Sequence, residues 1–175
     1  MKHIPNLLTL MRMILIPFIP YMYIIQDNRV ASIILLLIAA FSDFLDGFIA
    51  RRFELITEVG KVLDPLADKL LLIAVVWSLF YTDNFPIGLL IAYLLIEISM
   101  IILGVLLYTR KDRVVIPANI FGKVATALFF VTAVLSIWFG YTQIIFALFT
   151  ITLTMKSIAF ASYISHYINS FKRRA

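Results

Sequence analysis

The chain has 175 residues, 63% of them hydrophobic and only 14% charged, with a net charge of +5 and no cysteine; its mean hydropathy is +1.02. Soluble domains carry roughly 45–50% apolar and about 25% charged residues, and a chain this short buries only about 70% of the surface it exposes on unfolding. A soluble globule, a secreted disulfide scaffold and a disordered chain are therefore excluded, as are zinc-thiolate and iron–sulfur sites, and the composition points to an all-α integral membrane protein.

A hydrocarbon core about 30 Å thick needs about 20 apolar residues per helix. Such runs fall at 6–26, 30–50, 62–81, 86–108, 119–140 and 143–167, giving six transmembrane helices. The first run follows Met1-Lys2-His3 and has no small-residue cleavage site after it, so it reads as a retained helix rather than a signal peptide. Pro17 and Pro20 lie within it and predict a kink. Arg12 among leucines also allows the first dozen residues to lie as an N-terminal interfacial segment. Polar breaks at Gln26-Asp27-Asn28-Arg29, Arg51 to Lys61, Asp83-Asn84, Arg110 to Arg113 and Gly140 to Gln143 separate the runs, and Pro86 and Pro117 mark helix ends. Trp77, Tyr81, Trp138 and Tyr141 near span ends read as interfacial anchors. Glu97 and Lys156 fall near mid-membrane, where an unpaired charge is costly, and are expected to form a buried salt bridge.

Lys2, Arg51, Arg52, Lys61, Arg110, Lys111, Arg113, Lys172, Arg173 and Arg174 would share one side of the membrane, against Arg29 alone on the other. The excess of basic loop residues puts both termini and the 51–61 loop in the cytoplasm. It also directs the positive charge toward anionic lipid headgroups rather than nucleic acid. The halves show no internal repeat, and residues 1–175 read as a single membrane domain.

Asp43, Asp46, Asp64 and Asp68 stand at the facing ends of the second and third spans. Four converging carboxylates repel one another, so something positive must hold them together. Asp43 and Asp46 are spaced i, i+3, and Asp64 and Asp68 i, i+4, so each pair lies on one helix face. The short loop between the spans is expected to bring the two faces together. Carboxylate oxygens without His or Cys suit a hard cation such as Mg²⁺ or Mn²⁺. Two such ions could share the four carboxylates, clamp a phosphate and stabilise both attacking and leaving oxygens. Pairing with Arg51, Arg52, Lys61 and Lys69 would explain an isolated aspartate better than it explains four at helical spacings. A metal-ion transporter would need its acids nearer the midplane and an exit on the far side, where the loops are almost uncharged.

The string Asp43-x2-Asp46-Gly47-x2-Ala50-Arg51-x8-Gly60-x3-Asp64-x3-Asp68 fixes eight positions over 26 residues. It resembles the signature of the CDP-alcohol phosphatidyltransferase family without gap or substitution. The resemblance extends to Ile4-Pro5-Asn6-Leu7-Leu8-Thr9-Leu10-x-Arg12, typical of the bacterial branch, and more loosely to Gly122-Lys123. Aspartate-rich prenyltransferases also bind a diphosphate through Mg²⁺ but lack the continuation seen from Gly47 to Arg51.

The resemblance implies transfer of a phosphatidyl group from CDP-diacylglycerol to an alcohol, with release of CMP, in phospholipid synthesis at a bacterial cell membrane. It implies that Asp43, Asp46 and Asp64 hold two divalent ions (Mg²⁺ or Mn²⁺), that Asp68 completes the site and serves as general base, and that the protein is a homodimer. Gly47, Ala50 and Gly60 would let the nucleotide approach the helices, beside Asp46, and Arg51 would pair with the diphosphate. The glycerol-3-phosphate branch usually carries Arg-Glu in span 4 and Gly-Lys-x-Lys-Thr in span 5. Here Glu97 follows Ile96, and Gly122, Lys123 and Thr126 surround Ala125, so two expected cations are missing. Lys123, Arg110, Lys111 and Arg113 are expected to bind the acceptor in their place, with glycerol 3-phosphate favoured. The alternative is a cardiolipin synthase that takes phosphatidylglycerol, with which Tyr163, His166 and Tyr167 are compatible.

Overall fold

The apolar runs become helices because lipid offers the backbone no hydrogen-bond partner, so every N–H and C=O must be satisfied within its own segment. The computed structural model describes residues 4–53, 60–82, 84–109 and 120–172, with side chains except at 4–5, 50–51, 61–62, 104–109 and 166–172. Pro117, Asp83 and the basic residues Arg110, Lys111 and Arg113 lie outside the described residues.

Helix α1 spans Ile4–Leu15. Pro17 and Pro20 each remove an N–H donor, and the chain continues as a single turn, α2 (Phe18–Pro20), and a π-helical turn over Tyr21–Ile25. Gln26 there donates to the Tyr21 carbonyl at 3.2 Å, five residues back. The kink expected from the prolines is thus a change of helical winding. Asp27 takes a positive φ of 47°, and the Asn28 side chain caps α3 (Arg29–Arg52) by accepting from the Ala31 N–H at 2.9 Å.

Helices α4 (Gly60–Tyr81), α5 (Ile87–Thr109), α6 (Ile120–Phe139) and α7 (Gln143–Lys172) follow. From α3 to α6 the ends agree with the hydrophobic runs to within two residues, while α7 continues past its run to Lys172. Gly140 closes α6 with φ 73°, a conformation that an L side chain resists. The Thr142 hydroxyl then accepts from the Ile145 N–H at 3.2 Å to start α7. No strand occurs among the described residues. Asn6–Ile25, Arg29–Ile49, Ile120–Phe139 and Gln143–Ser165 are each long and apolar enough to cross a membrane, and Ile87–Leu103 is a shorter apolar stretch. The protein is an all-α membrane protein.

Two compact units divide the chain, Met1–Pro86 and Ile87–Ala175. In the first, α1 packs broadly on both α3 and α4, which touch each other only slightly. The faces of spans 2 and 3 that the short loop brings together are thus joined largely through α1, which lies against both. Its burial pattern is inverted. Thr9 and Arg12 are fully buried, whereas Leu7, Leu10, Met11 and Ile14 are exposed, the arrangement expected when the surroundings are lipid. Below this polar seam α4 buries Ala67, Leu71, Leu72, Val75, Val76 and Leu79, at helical spacing.

In the second unit α7 packs on α5 and, most extensively, on α6. Ile145, Phe149, Thr152, Lys156 and Ala159 form its buried stripe. At Gly122 α6 passes close to α7, and a Cβ placed there would meet the Ala159 Cβ at an ordinary contact distance of 3.7 Å. Hydroxyls are accommodated by bonding back one turn, as Ser78 does to Ala74 at 2.6 Å and Thr132 to Leu128 at 2.8 Å.

Candidate active site

The acids gather on a guanidinium. Thr9 and Arg12 are three residues apart and so share one face of α1, the face buried in the first unit. Arg12 donates through Nη1 to Asp43 Oδ1 and through Nη2 to Asp46 Oδ2. The planar fork of arginine can span two carboxylates one helical turn apart, which a lysine ammonium cannot do as a point charge. Thr9 Oγ1 lies 2.6 Å from Asp64 Oδ1 and 3.5 Å from Asp46 Oδ2. A hydroxyl has one proton to give, so the shorter contact is the hydrogen bond and fastens α4 to α1. Ser42 adds a longer contact from α3, donating to the Leu8 carbonyl at 3.5 Å.

Asp43, Asp46 and Asp64 are thus brought together. Asp46 is almost completely buried and Asp43 about half exposed, which leaves the cluster open on one side. Among the described side chains, Arg12 meets Asp43 and Asp46 while Asp64 is held by Thr9, so carboxylates outnumber the cation in this cluster. Asp68 stands one turn beyond Asp64, partly exposed, with its Oδ2 3.8 Å from Lys69 Nζ. Spacing in the sequence turns Lys69 to another face; the structure brings it back to Asp68 as a loose ion pair.

Among the described residues no three His, Cys, Asp or Glu side chains converge closely enough to hold one metal ion. The positive group between Asp43 and Asp46 is Arg12. The donor chemistry nevertheless fits a hard divalent cation, being carboxylate oxygen throughout with a hydroxyl beside it. Gly47 lies one turn beyond Asp43 on α3, and Gly60 is buried at the start of α4. Ala50 and Arg51 belong to the last turns of α3, and their side chains lie outside the described set.

Lys123 is exposed on α6 in the second unit, and Ala125 is completely buried, so the position where a lysine is missing is a core position. Glu97 accepts from Lys156, the expected salt bridge, with both side chains buried. Lys156 Nζ also lies 5.9 Å and 5.5 Å from the ring centroids of Tyr93 and Phe129. Tyr163 is half-buried, while the side chains of His166 and Tyr167 lie outside the described set.

The profile of CDP-alcohol phosphatidyltransferase matches residues 2–156 and runs through both units. The chain belongs to the CDP-alcohol phosphatidyltransferase family. It is 39% identical over 137 residues to a CDP-diacylglycerol–glycerol-3-phosphate 3-phosphatidyltransferase of Aquifex aeolicus, covering 77% of this chain and 75% of that one. The enzyme of the same name from Bacillus subtilis is 34% identical over 140 residues, 72% of each chain. A cardiolipin synthase (CMP-forming) / mitochondrial hydrolase fusion protein of Schizosaccharomyces pombe is 38% identical over 114 residues, 65% of this chain and 19% of the fusion.

This phosphatidyltransferase therefore carries its acidic signature on α3 and α4, and α1 supplies the groups that bind it. Arg12 and Thr9 are the site residues to which sequence reasoning assigned no role. The available signal was their i, i+3 spacing in a helix that buries no other charge.

Proposed function

We propose that this enzyme transfers a phosphatidyl group from CDP-diacylglycerol to glycerol 3-phosphate, releasing CMP. The observation that carries the reading is the convergence of Asp43, Asp46 and Asp64 on α1 in a chain of this family. The acceptor follows from the names of the bacterial relatives. Asp43, Asp46, Asp64 and Asp68 would hold Mg²⁺ or Mn²⁺, which when bound neutralises the diphosphate and stabilises the leaving oxygen. Gly47, Ala50, Arg51 and Gly60 would receive the nucleotide and diphosphate. The acceptor hydroxyl oxygen forms a bond to the phosphorus that bears the diacylglycerol. The bond from that phosphorus to the CMP oxygen breaks, and Asp68 takes the hydroxyl proton. Lys123 and the basic residues Arg110, Lys111 and Arg113 would draw in the acceptor phosphate. An amphiphilic donor, acyl tails in lipid and nucleotide in water, suits a polar cluster at the cytoplasmic boundary. We place both termini on that side and read the protein as one membrane domain that forms a homodimer.

A second reading is favoured by Ile96 and Ala125, where two phosphate-binding cations would stand, and by the resemblance to cardiolipin synthases. In that reading the acceptor is phosphatidylglycerol. The test is CMP release by the purified protein in micelles with CDP-diacylglycerol and Mg²⁺, given glycerol 3-phosphate, phosphatidylglycerol or inositol phosphate in parallel. CMP formed with glycerol 3-phosphate supports the first reading, and CMP formed only with phosphatidylglycerol supports the second. No CMP with any acceptor would overturn both.

A further inference from the structure

Arg12 is fully buried, and its two Nη groups are committed to Asp43 and Asp46. Its Nε is buried as well and has no hydrogen-bond partner among the described residues. The guanidinium therefore neutralises the acids while one of its own donors goes unused, an arrangement that costs free energy unless another state satisfies it. A divalent ion at Asp43 and Asp46 would compete with Arg12 for the same oxygens, and two cations sharing them repel. Arg12 is too deeply placed to reach water. The partner its flat, five-donor fork fits best in such a site is a phosphate.

We infer that Arg12 is a positioning residue that exchanges partners: it holds the Asp43 and Asp46 carboxylates as an internal counter-cation and passes to the substrate's diphosphate when a divalent ion takes them. The inference rests on the metal-dependent reading given under Proposed function. It makes ion binding and nucleotide binding help each other, because each removes the competitor or supplies the partner of the other. Thr9 keeps α4 fastened to α1 through Asp64, so the exchange does not require the helices to part.

The experiment measures Mn²⁺ affinity by electron paramagnetic resonance on the full-length protein in micelles, and the KM for CDP-diacylglycerol at saturating Mn²⁺. The proteins are wild type, Arg12→Gln, Arg12→Lys and Asp46→Asn. Arg12→Gln is expected to bind Mn²⁺ about tenfold more tightly, because the competing charge is gone. Its KM for CDP-diacylglycerol is expected to rise about tenfold, because the phosphate loses a charge-assisted partner. These shifts run in opposite directions, whereas a merely structural role would weaken both affinities. Should Arg12→Gln fail to fold, Arg12→Lys keeps the charge but not the bridge and is expected to show the same two opposite shifts, smaller. Unchanged or weaker Mn²⁺ binding in a folded Arg12 variant, with Asp46→Asn abolishing it, overturns this inference and leaves the metal reading standing. If wild type binds no Mn²⁺, the metal reading falls and this inference with it.

Discussion

Breaking the buried pair between α5 and α7 should destabilise the second unit unequally, depending on which partner is lost. Lys156 donates to Glu97 where the two side chains are only 4% and 2% exposed. Removing one member of such a pair strands the other charge and costs about 3–5 kcal/mol. The two losses are not equivalent. In Glu97→Gln the ammonium still lies over Tyr93 and Phe129, and cation–π attraction of about 1 kcal/mol or more offsets part of the cost. In Lys156→Met the buried carboxylate loses its cation, and ring faces attract cations, not anions, so they offer it no such offset. We therefore expect about 3 kcal/mol for Glu97→Gln and about 4–5 kcal/mol for Lys156→Met. A change of 1 kcal/mol moves Tm by about 2–4 °C in a chain of this size, giving drops of roughly 6–12 °C and 8–20 °C. The double variant removes both charges and should recover most of the loss. Thermal melts followed by fluorescence-detected size-exclusion chromatography, in one detergent at fixed lipid content, read all four proteins. Single variants that melt with wild type, or a double variant no better than the worse single one, would refute the reasoning.

Three further outcomes follow from the geometry. Asp68→Asn should lower kcat by about 10²–10⁴, the usual worth of a positioned general base, with KM for CDP-diacylglycerol little changed; CMP release at wild-type turnover would remove Asp68 from that role. Thr9→Val keeps the shape of the side chain but deletes the donor to Asp64, so it should cost about 1–2 kcal/mol in the thermal melt and lower CMP release; a melt and activity equal to wild type would show that the contact carries nothing. Gly140→Ala forces an L residue to a φ of 73° and should cost about 1–2 kcal/mol, whereas Gly122→Ala meets Ala159 at an ordinary 3.7 Å and should melt near wild type; the reverse order would contradict both.

The helices were legible because the bilayer asks one question of a sequence, whether about 20 successive residues are apolar, and six runs answer it. The acidic residues were legible for the opposite reason, since a carboxylate at depth is anomalous and four at helical spacings cannot be accidental. Arg12 escaped because a single arginine among leucines has a local explanation, interfacial snorkelling. Its partners lie 31 and 34 positions away, and no periodicity within α1 points to them. The same holds for the role of α1 itself. A short loop argues that α3 and α4 are neighbours in the chain, but not that a third helix packs on both. The Glu97–Lys156 bridge could be anticipated despite a separation of 59 positions, because two opposite charges at similar depth leave each other as the economical partner.

Both polar centres obey the same constraint by different means. In the second unit the buried pair cancels one to one, Glu97 with Lys156, with the rings of Tyr93 and Phe129 beside the ammonium, which suits a joint between helices. In the first unit one guanidinium meets two carboxylates, one of them half exposed, and a third is held beside them by Thr9. The excess of carboxylates among these described side chains is unfavourable in a membrane unless a cation completes it. In the metal-dependent reading proposed above, a dication would offset that excess, and a diphosphate brought with it would give Arg12 a negative partner. In that reading the imbalance that would weaken the first unit as a structural joint is what suits it to phosphoryl chemistry, whereas Glu97 and Lys156 are already committed to each other.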